Sequence, residues 1–216
     1  MFYSQCGEDE FLNNNYFKNK REGTYIELGA MDGVLYSNTK FFEDNLAWKG
    51  VLIEPHSYNY YLLQQNRSKS NFLFNNLISC YEKEVLFKFF FENYSGVSGI
   101  ENTLPKEHYD NFYNKLDDPQ AGIVMKPTSL SAVIKQTDIK HFDLLSLDVE
   151  GHEYEVLLSW DFSIPIDIIM METLGESQCE KEELCRKLLI ENDYVFDAKY
   201  KHNEIFILKS SVYMHC

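Results

Sequence analysis

The stretch YIELGAMDGVLYSNT, Tyr25–Thr39, decides the fold. A β-branched and aromatic run ends in an acid, passes through Gly-Ala-Met-Asp-Gly, and reaches Ser-Asn-Thr, residue types that open helices. Strand, glycine turn and helix start in that order are the opening of a βαβ unit. In an open α/β sheet such a turn lies at the carboxyl end of a strand, where ligands bind. Gly29 and Gly33 permit a tight turn and close backbone approach. Two acids, Glu27 and Asp32, share the same turn.

The pattern continues outward from this turn. Further strand signals are GVLIE (50–54), NFLFNNLIS (71–79), VLFKFFF (85–91), HFDLLSLDV (141–149) and PIDIIMMET (165–173), followed by YVFDAKY (194–200) and EIFILK (204–209). Helical stretches fall between several of them, at 37–46, 57–66, 129–136, 152–160 and 181–192. In the first, Phe41, Phe42 and Leu46 share a face; in the last, Leu184, Leu188 and Leu189 form the apolar stripe. This alternation predicts an α/β fold with a mostly parallel sheet and helices on both faces. The last two strands, joined by about three residues, read as an antiparallel hairpin.

At 216 residues and 44% apolar, the chain is expected to form one domain, 1–216. The net charge of −14 argues against nucleic-acid and anionic-membrane partners. Five scattered cysteines without a C-x-x-C pair fit a reducing compartment. The first residues carry no signal-peptide pattern and no apolar run is long enough to span a bilayer, so a soluble intracellular protein is expected.

Four places carry the chemistry. In the first turn, Glu27 and Asp32 would repel a pyrophosphate and suit a cationic, phosphate-free ligand such as S-adenosylmethionine; an ordinary turn with solvated acids is the alternative. Glu54 ends the second strand about twenty residues after Gly33, the spacing at which an acid bonds ribose hydroxyls, although it also suits a surface or capping acid. Asp148 ends a buried strand and is followed by Glu150, His152 and Glu153, with Glu172 placed to join if the next strand is adjacent. Such a cluster can supply a general base or hold a divalent cation through oxygen ligands, while His152 can equally be a solvated residue at a helix start. The N-terminal YSQCGEDEFL either frays or folds Gln5, Glu8 and Asp9 over the ligand.

Segment 92–127 breaks the alternation and is expected to be an acceptor-binding insertion or lid. Its Tyr109, Phe112 and Tyr113 suit stacking on sugar rings or internal packing equally well.

Taken together, YSQCGEDEFL, YIELGAMDGVLYSNT, GVLIEP, SGI and DLLSLDVEGHEYEVL resemble the FkbM family of S-adenosylmethionine-dependent methyltransferases, from about Tyr3 to about Glu172. The resemblance implies a Rossmann-like class I fold with seven strands and methylation of a hydroxyl oxygen, often on a sugar or other small molecule. It assigns the cofactor to Gln5 and Asp9 of the N-terminal segment (1–22), to Glu27, Gly29, Ala30, Asp32, Gly33, Asn38 and Thr39, to Glu54 for the ribose, and to Ser98. Asp148, Glu150 and His152 would face the methyl group as catalytic residues, Asp148 also touching the cofactor, with a cation on Asp148 and Glu172 as a variant. Met31 stands where many members carry Asn. A nicotinamide-dependent oxidoreductase lacks support because G-x-G-x-x-G is absent, and a non-catalytic binding module is the other rival.

Overall fold

The computed structural model of the chain describes residues 1–89, 96–111 and 122–215. The strands are β1 Thr24–Leu28, β2 Lys49–Ile53, β3 Phe72–Phe74, β4 Val85–Lys88, β5 Gly99–Ile100, β6 Gly122–Met125, β7 Phe142–Leu147, β8 Ile166–Glu172, β9 Tyr194–Tyr200 and β10 Asn203–Leu208. The α-helices are α1 Glu8–Leu12, α2 Lys40–Leu46, α3 Ser57–Asn66, α4 Lys106–Asn111, α5 Leu130–Ile134, α6 Glu153–Leu158 and α7 Cys179–Glu191.

Seven strands form one sheet in the order β3-β2-β1-β7-β8-β10-β9. Pairing is parallel from β3 through β8, and β10 is antiparallel to both β8 and β9. This is the seven-stranded, mostly parallel Rossmann-like sheet of class I methyltransferases, with its closing hairpin. The strand order reverses between β1 and β7, which places a crevice at their carboxyl ends.

Both sheet faces are covered, so the central strands bury consecutive residues to opposite sides. On β1, Tyr25 packs toward Leu12, Phe17, Phe42 and Trp48, while Ile26 and Leu28 pack toward Val133, Val156 and Leu189. On β8, Ile168 and Met170 join the first layer, and Ile169 and Met171 the second. Parallel strands buried on both faces explain the unbroken apolar runs of the sequence.

Several expectations shift. The strand expected at 71–79 pairs only over Phe72–Phe74, after which the chain leaves the sheet. The strand expected at 85–91 contributes β4 to a separate antiparallel sheet, β5-β4-β6, with its own apolar cluster of Leu77, Val85, Phe87 and Ile100. On α7 the buried residues are Cys185 and Leu189, with Leu188 packed against the same cluster; Leu184 is 43% exposed. Leu188 and Leu189 therefore hold their expected places, and Cys185 takes the place expected for Leu184. The N-terminal segment does not fray: α1 continues into a π-helical turn, Asn13–Phe17, that buries Leu12, Tyr16 and Phe17. Of the aromatic residues considered for sugar stacking, Phe112, Tyr113 and the side chain of Tyr109 lie outside the described residues. Among the described residues no helix is long and apolar enough to cross a membrane.

Candidate active site

A cavity of about 300 Å³ opens at the carboxyl ends of β1, β2, β7 and β8. Its floor is the turn after β1, one side is Glu54, the other is Asp148 and Glu150, and Val97–Ile100 of the small sheet form a wall. Gly29 has φ +76°, and a Cβ there would collide with the Asp148 carbonyl oxygen. The two strand ends can therefore approach only if residue 29 lacks a side chain. Gly29→Ala is expected to cost about 2 kcal/mol or more from the left-handed backbone and the collision. Thermal unfolding and calorimetry with S-adenosylhomocysteine would show the loss of stability and of binding together.

The structure brings Gln5, Glu27, Gly29, Ala30, Asn38, Glu54, Ser98, Asp148, Glu150, His152 and Glu172 to the cavity lining. Asp9, Asp32, Gly33 and Thr39 are not in it, and each is engaged elsewhere. Asp9 is fully buried and accepts hydrogen bonds from Tyr3 N, Ser4 Oγ and Glu10 N, which fastens the N-terminal segment. Asp32 Oδ1 accepts from Val34 N and Leu35 N, both at 2.8 Å, and shapes the turn. Thr39 Oγ1 donates to Glu27 Oε2 at 2.6 Å. The Gly33 carbonyl accepts from Arg67 Nη1 at 3.0 Å.

Glu27 needs a similar correction. It borders the cavity, but its carboxylate accepts from Ser37 Oγ, Asn38 N at 2.8 Å, Thr39 Oγ1 and Arg67 Nη1 at 3.3 Å. Its charge is answered within the protein by Arg67, whose side chain is fully buried. Arg67 also donates to Tyr25 OH, Thr39 Oγ1 and, through Nε at 2.7 Å, to Glu43 Oε2. Sequence reasoning missed Arg67 because it sits at the end of α3 in no motif. Only the fold brings it beneath the turn.

Glu54 is buried and accepts from Met31 N at 2.9 Å and His56 N at 2.8 Å. Burial pushes its pKa up to about 7 against these hydrogen bonds. The bond to Met31 is made by the backbone, so the missing Asn side chain leaves this link between turn and β2 intact.

The second group is acidic. Asp148, Glu150 and Glu172 offer carboxylate oxygens within 4.8 Å of one another. Burial raises the pKa of Asp148 to about 6 against a hydrogen bond from the Glu172 carboxyl, and the charges of Glu8 and Glu27 add to the rise. Glu150 and Glu172 are pushed well above the carboxylate range, first by burial and then by neighbouring carboxylates. Glu153, below the loop, accepts from Val149 N and Gly151 N and holds the turn after β7.

His152 sits at the start of α6, 2% exposed, rather than facing water. Its Nδ1 lies 3.0 Å from Thr103 Oγ1 and 3.6 Å from Glu155 Oε2. Thr103 Oγ1 donates its own proton to the Ile100 carbonyl at 3.2 Å. Nδ1 is therefore engaged with Thr103, with the Glu155 carboxylate just beyond hydrogen-bond distance. Nε2 is buried and has no hydrogen-bond partner among the described residues. Burial lowers the imidazole pKa to about 4, which keeps it neutral.

No lysine or arginine stands among the described lining residues. The acidic side chains lining the space are carboxyl groups whose pKa values are largely raised, a lining that offers a pyrophosphate no positive charge and gives up protons readily to a cationic nucleoside. The sequence matches the methyltransferase FkbM domain family over residues 27–198. The chain belongs to that family. Its fold and family are those of S-adenosylmethionine-dependent methyltransferases. No curated protein matches it. Among solved structures, it is similar to a precorrin-6y C5,15-methyltransferase from Geobacter metallireducens GS-15, at 8% identity and TM-score 0.46 over 92% of this chain and 85% of that one. It is also similar to a putative rRNA-methylase from Clostridium thermocellum, at 9% identity and TM-score 0.43 over 95% and 96%. A SAM-dependent methyltransferase from Aquifex aeolicus gives 9% identity and TM-score 0.41 over 92% and 86%. The family match of this FkbM-domain methyltransferase starts on Glu27 and runs through Asp148 and Glu172, so it spans both halves of the cavity.

Proposed function

We propose that this methyltransferase moves a methyl group from S-adenosylmethionine to a hydroxyl oxygen of a small-molecule or glycan acceptor, with a sugar hydroxyl as the leading case. The observation that carries this reading is the pairing, in one cavity, of a lining without lysine or arginine among the described residues and a cluster of carboxylates. When bound, the cofactor supplies an electrophilic methyl group on sulfur. A sugar hydroxyl is a weak acid, so its proton needs an acceptor as the oxygen attacks.

Asp148 is the base in this reading. It lines the cavity, and its raised pKa makes it a better proton acceptor than an ordinary carboxylate. His152, held neutral with a pKa near 4, is the weaker base. Glu150 orients the acceptor from beside Asp148. Gln5, Asn38, Ser98 and the backbone of Gly29 and Ala30 hold the cofactor's remaining polar groups. The insertion formed around β5 and α4 carries the acceptor side.

Glu54 accepts the ribose hydroxyls. Hydrogen bonds to a charged group contribute roughly 1.5–3 kcal/mol, so Glu54→Gln is expected to weaken S-adenosylhomocysteine binding about 10- to 100-fold. The carboxylate is the better acceptor, and its proton leaves near pH 7. Affinity should therefore rise through pH 7 in the wild type, and that part of the rise should vanish in Glu54→Gln. Calorimetry across pH reads both. An acceptor panel of simple glycosides, scored by transfer of radiolabelled methyl, tests the reaction. Binding of NAD in place of S-adenosylhomocysteine would overturn the reading.

A further inference from the structure

Two side chains in the loop between β1 and α2 take no part in the core. Leu35 and Tyr36 both line the cavity, and among its described large apolar side chains they are the exposed ones, at 38% and 45%. Neither belongs to an apolar cluster of the described residues. Among the described residues the Tyr36 ring meets no other aromatic ring and its hydroxyl makes no hydrogen bond.

Tyr36 holds this place at a cost. Its backbone is left-handed, φ +59°, a region that a bulky side chain rarely enters and that Gly or Asn enters more readily. No hydrogen bond, ring contact or core packing of the side chain offsets that cost among the described residues. Strained positions persist where the surroundings fix them, and they gather at ligand clamps. Here the surroundings do fix the loop. Asp32 Oδ1 accepts from Leu35 N at 2.8 Å, and Ser4 forms a parallel β-bridge with Tyr36. Ser4 is itself fastened, its Oγ donating to Asp9 Oδ1 at 2.6 Å. The loop is therefore set before any ligand arrives. Ala30 and Glu54 of the same cavity are buried, whereas a molecule entering from solvent meets the Leu35 and Tyr36 side chains.

We propose that Leu35 and Tyr36 form the acceptor platform of the cavity, with the Tyr36 ring stacked on the C–H face of the sugar that is methylated. A pyranose ring presents an apolar face of C–H groups and a rim of hydroxyls. Tyrosine matches both with a rigid, amphipathic surface that has few rotatable bonds to fix. Such stacking takes sugar rings in general and leaves the choice among them to the wall at Val97–Ile100. The proposal rests on the hydroxyl-transfer reading and names the residues that receive its acceptor.

The test uses the whole chain loaded with S-adenosylhomocysteine and a panel of methyl glycosides of the common hexoses. Saturation-transfer NMR reads glycoside binding, and radiolabelled transfer from S-adenosylmethionine on the same panel gives KM and kcat. The wild type should bind at least one glycoside. Tyr36→Asn should weaken that binding, and raise the matching KM, about tenfold, while Tyr36→Phe, which keeps the ring, should restore it. Tm and S-adenosylhomocysteine affinity should hold in Tyr36→Asn, because asparagine tolerates the left-handed backbone. A clear fall in Tm would assign the ring to packing, and a clear fall in S-adenosylhomocysteine affinity would assign it to the cofactor; either overturns the proposal. Equal glycoside binding by wild type and Tyr36→Asn overturns it too, as does a wild type that binds S-adenosylhomocysteine and no glycoside. In these last two cases the methyl-donor half of the reading stands. If the wild type fails to bind S-adenosylhomocysteine, the methyl-transfer reading falls and the proposal with it.

Discussion

Arg67→Met is expected to destabilise the protein by roughly 3–5 kcal/mol, the cost of removing one partner from a buried ion pair. At this chain length that corresponds to a fall of about 10 °C in Tm, read by thermal unfolding. The loss is large because Arg67 is fully buried and answers two carboxylates, Glu27 at 3.3 Å and Glu43 at 2.7 Å. It also donates to Gly33 O, Ser37 Oγ, Tyr25 OH and Thr39 Oγ1. Without it, two acids and a tyrosine hydroxyl remain buried beneath the turn. Arg67→Lys should recover little, since one ammonium cannot reach partners set out for a planar fork. The effect extends to function: the turn that Arg67 clamps is the cavity floor, so S-adenosylhomocysteine affinity should fall in any variant that still folds. The pH dependence has a definite sign. Burial opposes ionisation of Glu43, but Arg67 and the Ser68 N–H hold its pKa below 4.5. Its contribution is complete above the unfolded value near 4.5 and is lost as pH falls through the folded value. Arg67→Met should lose that acid-side transition. Equal stability of wild type and Arg67→Met at neutral pH would sink the clamp.

The second large effect is on turnover. Asp148→Asn should lower methyl transfer by about 10²- to 10⁴-fold, the span general bases supply, while S-adenosylhomocysteine still binds. Asparagine keeps the shape and removes both the proton acceptor and the charge. Single-turnover transfer to whichever acceptor the panel identifies, with calorimetry on the same preparation, separates chemistry from binding. Full turnover in Asp148→Asn would remove Asp148 from the reaction.

Much of this was legible before any coordinates. The βαβ opening around Gly29, the acids ending β2, β7 and β8, and the final hairpin follow from local patterns that the sheet preserves. What failed did so for identifiable reasons. Val85–Lys88 has the composition of a strand, but composition does not say which sheet a strand joins, and β4 pairs with β5 and β6. The partners of Glu27 and Asp32 have no signature in the local pattern: Arg67 lies forty residues beyond Glu27, and the N–H groups that hold Asp32 belong to the turn itself. The same limit concealed Thr103, whose hydroxyl meets His152 Nδ1 from forty-nine positions away. Long-range polar contacts of this kind leave no periodicity to read.

The small sheet divides the cavity between two hydrogen-bonded units. One side of the cavity is built on β1, β2 and β7, whereas Gly99 and Ile100 belong to a ladder that shares no strand with them and has its own apolar cluster. In the proposed reading, substitutions along that ladder reshape the acceptor side while the strand ends that hold the cofactor stay as they are. On that reading acceptor choice and methyl chemistry are separately inheritable: a lineage could exchange one acceptor for another by redrawing β5 and its flanks, with Arg67 and Glu54 unchanged.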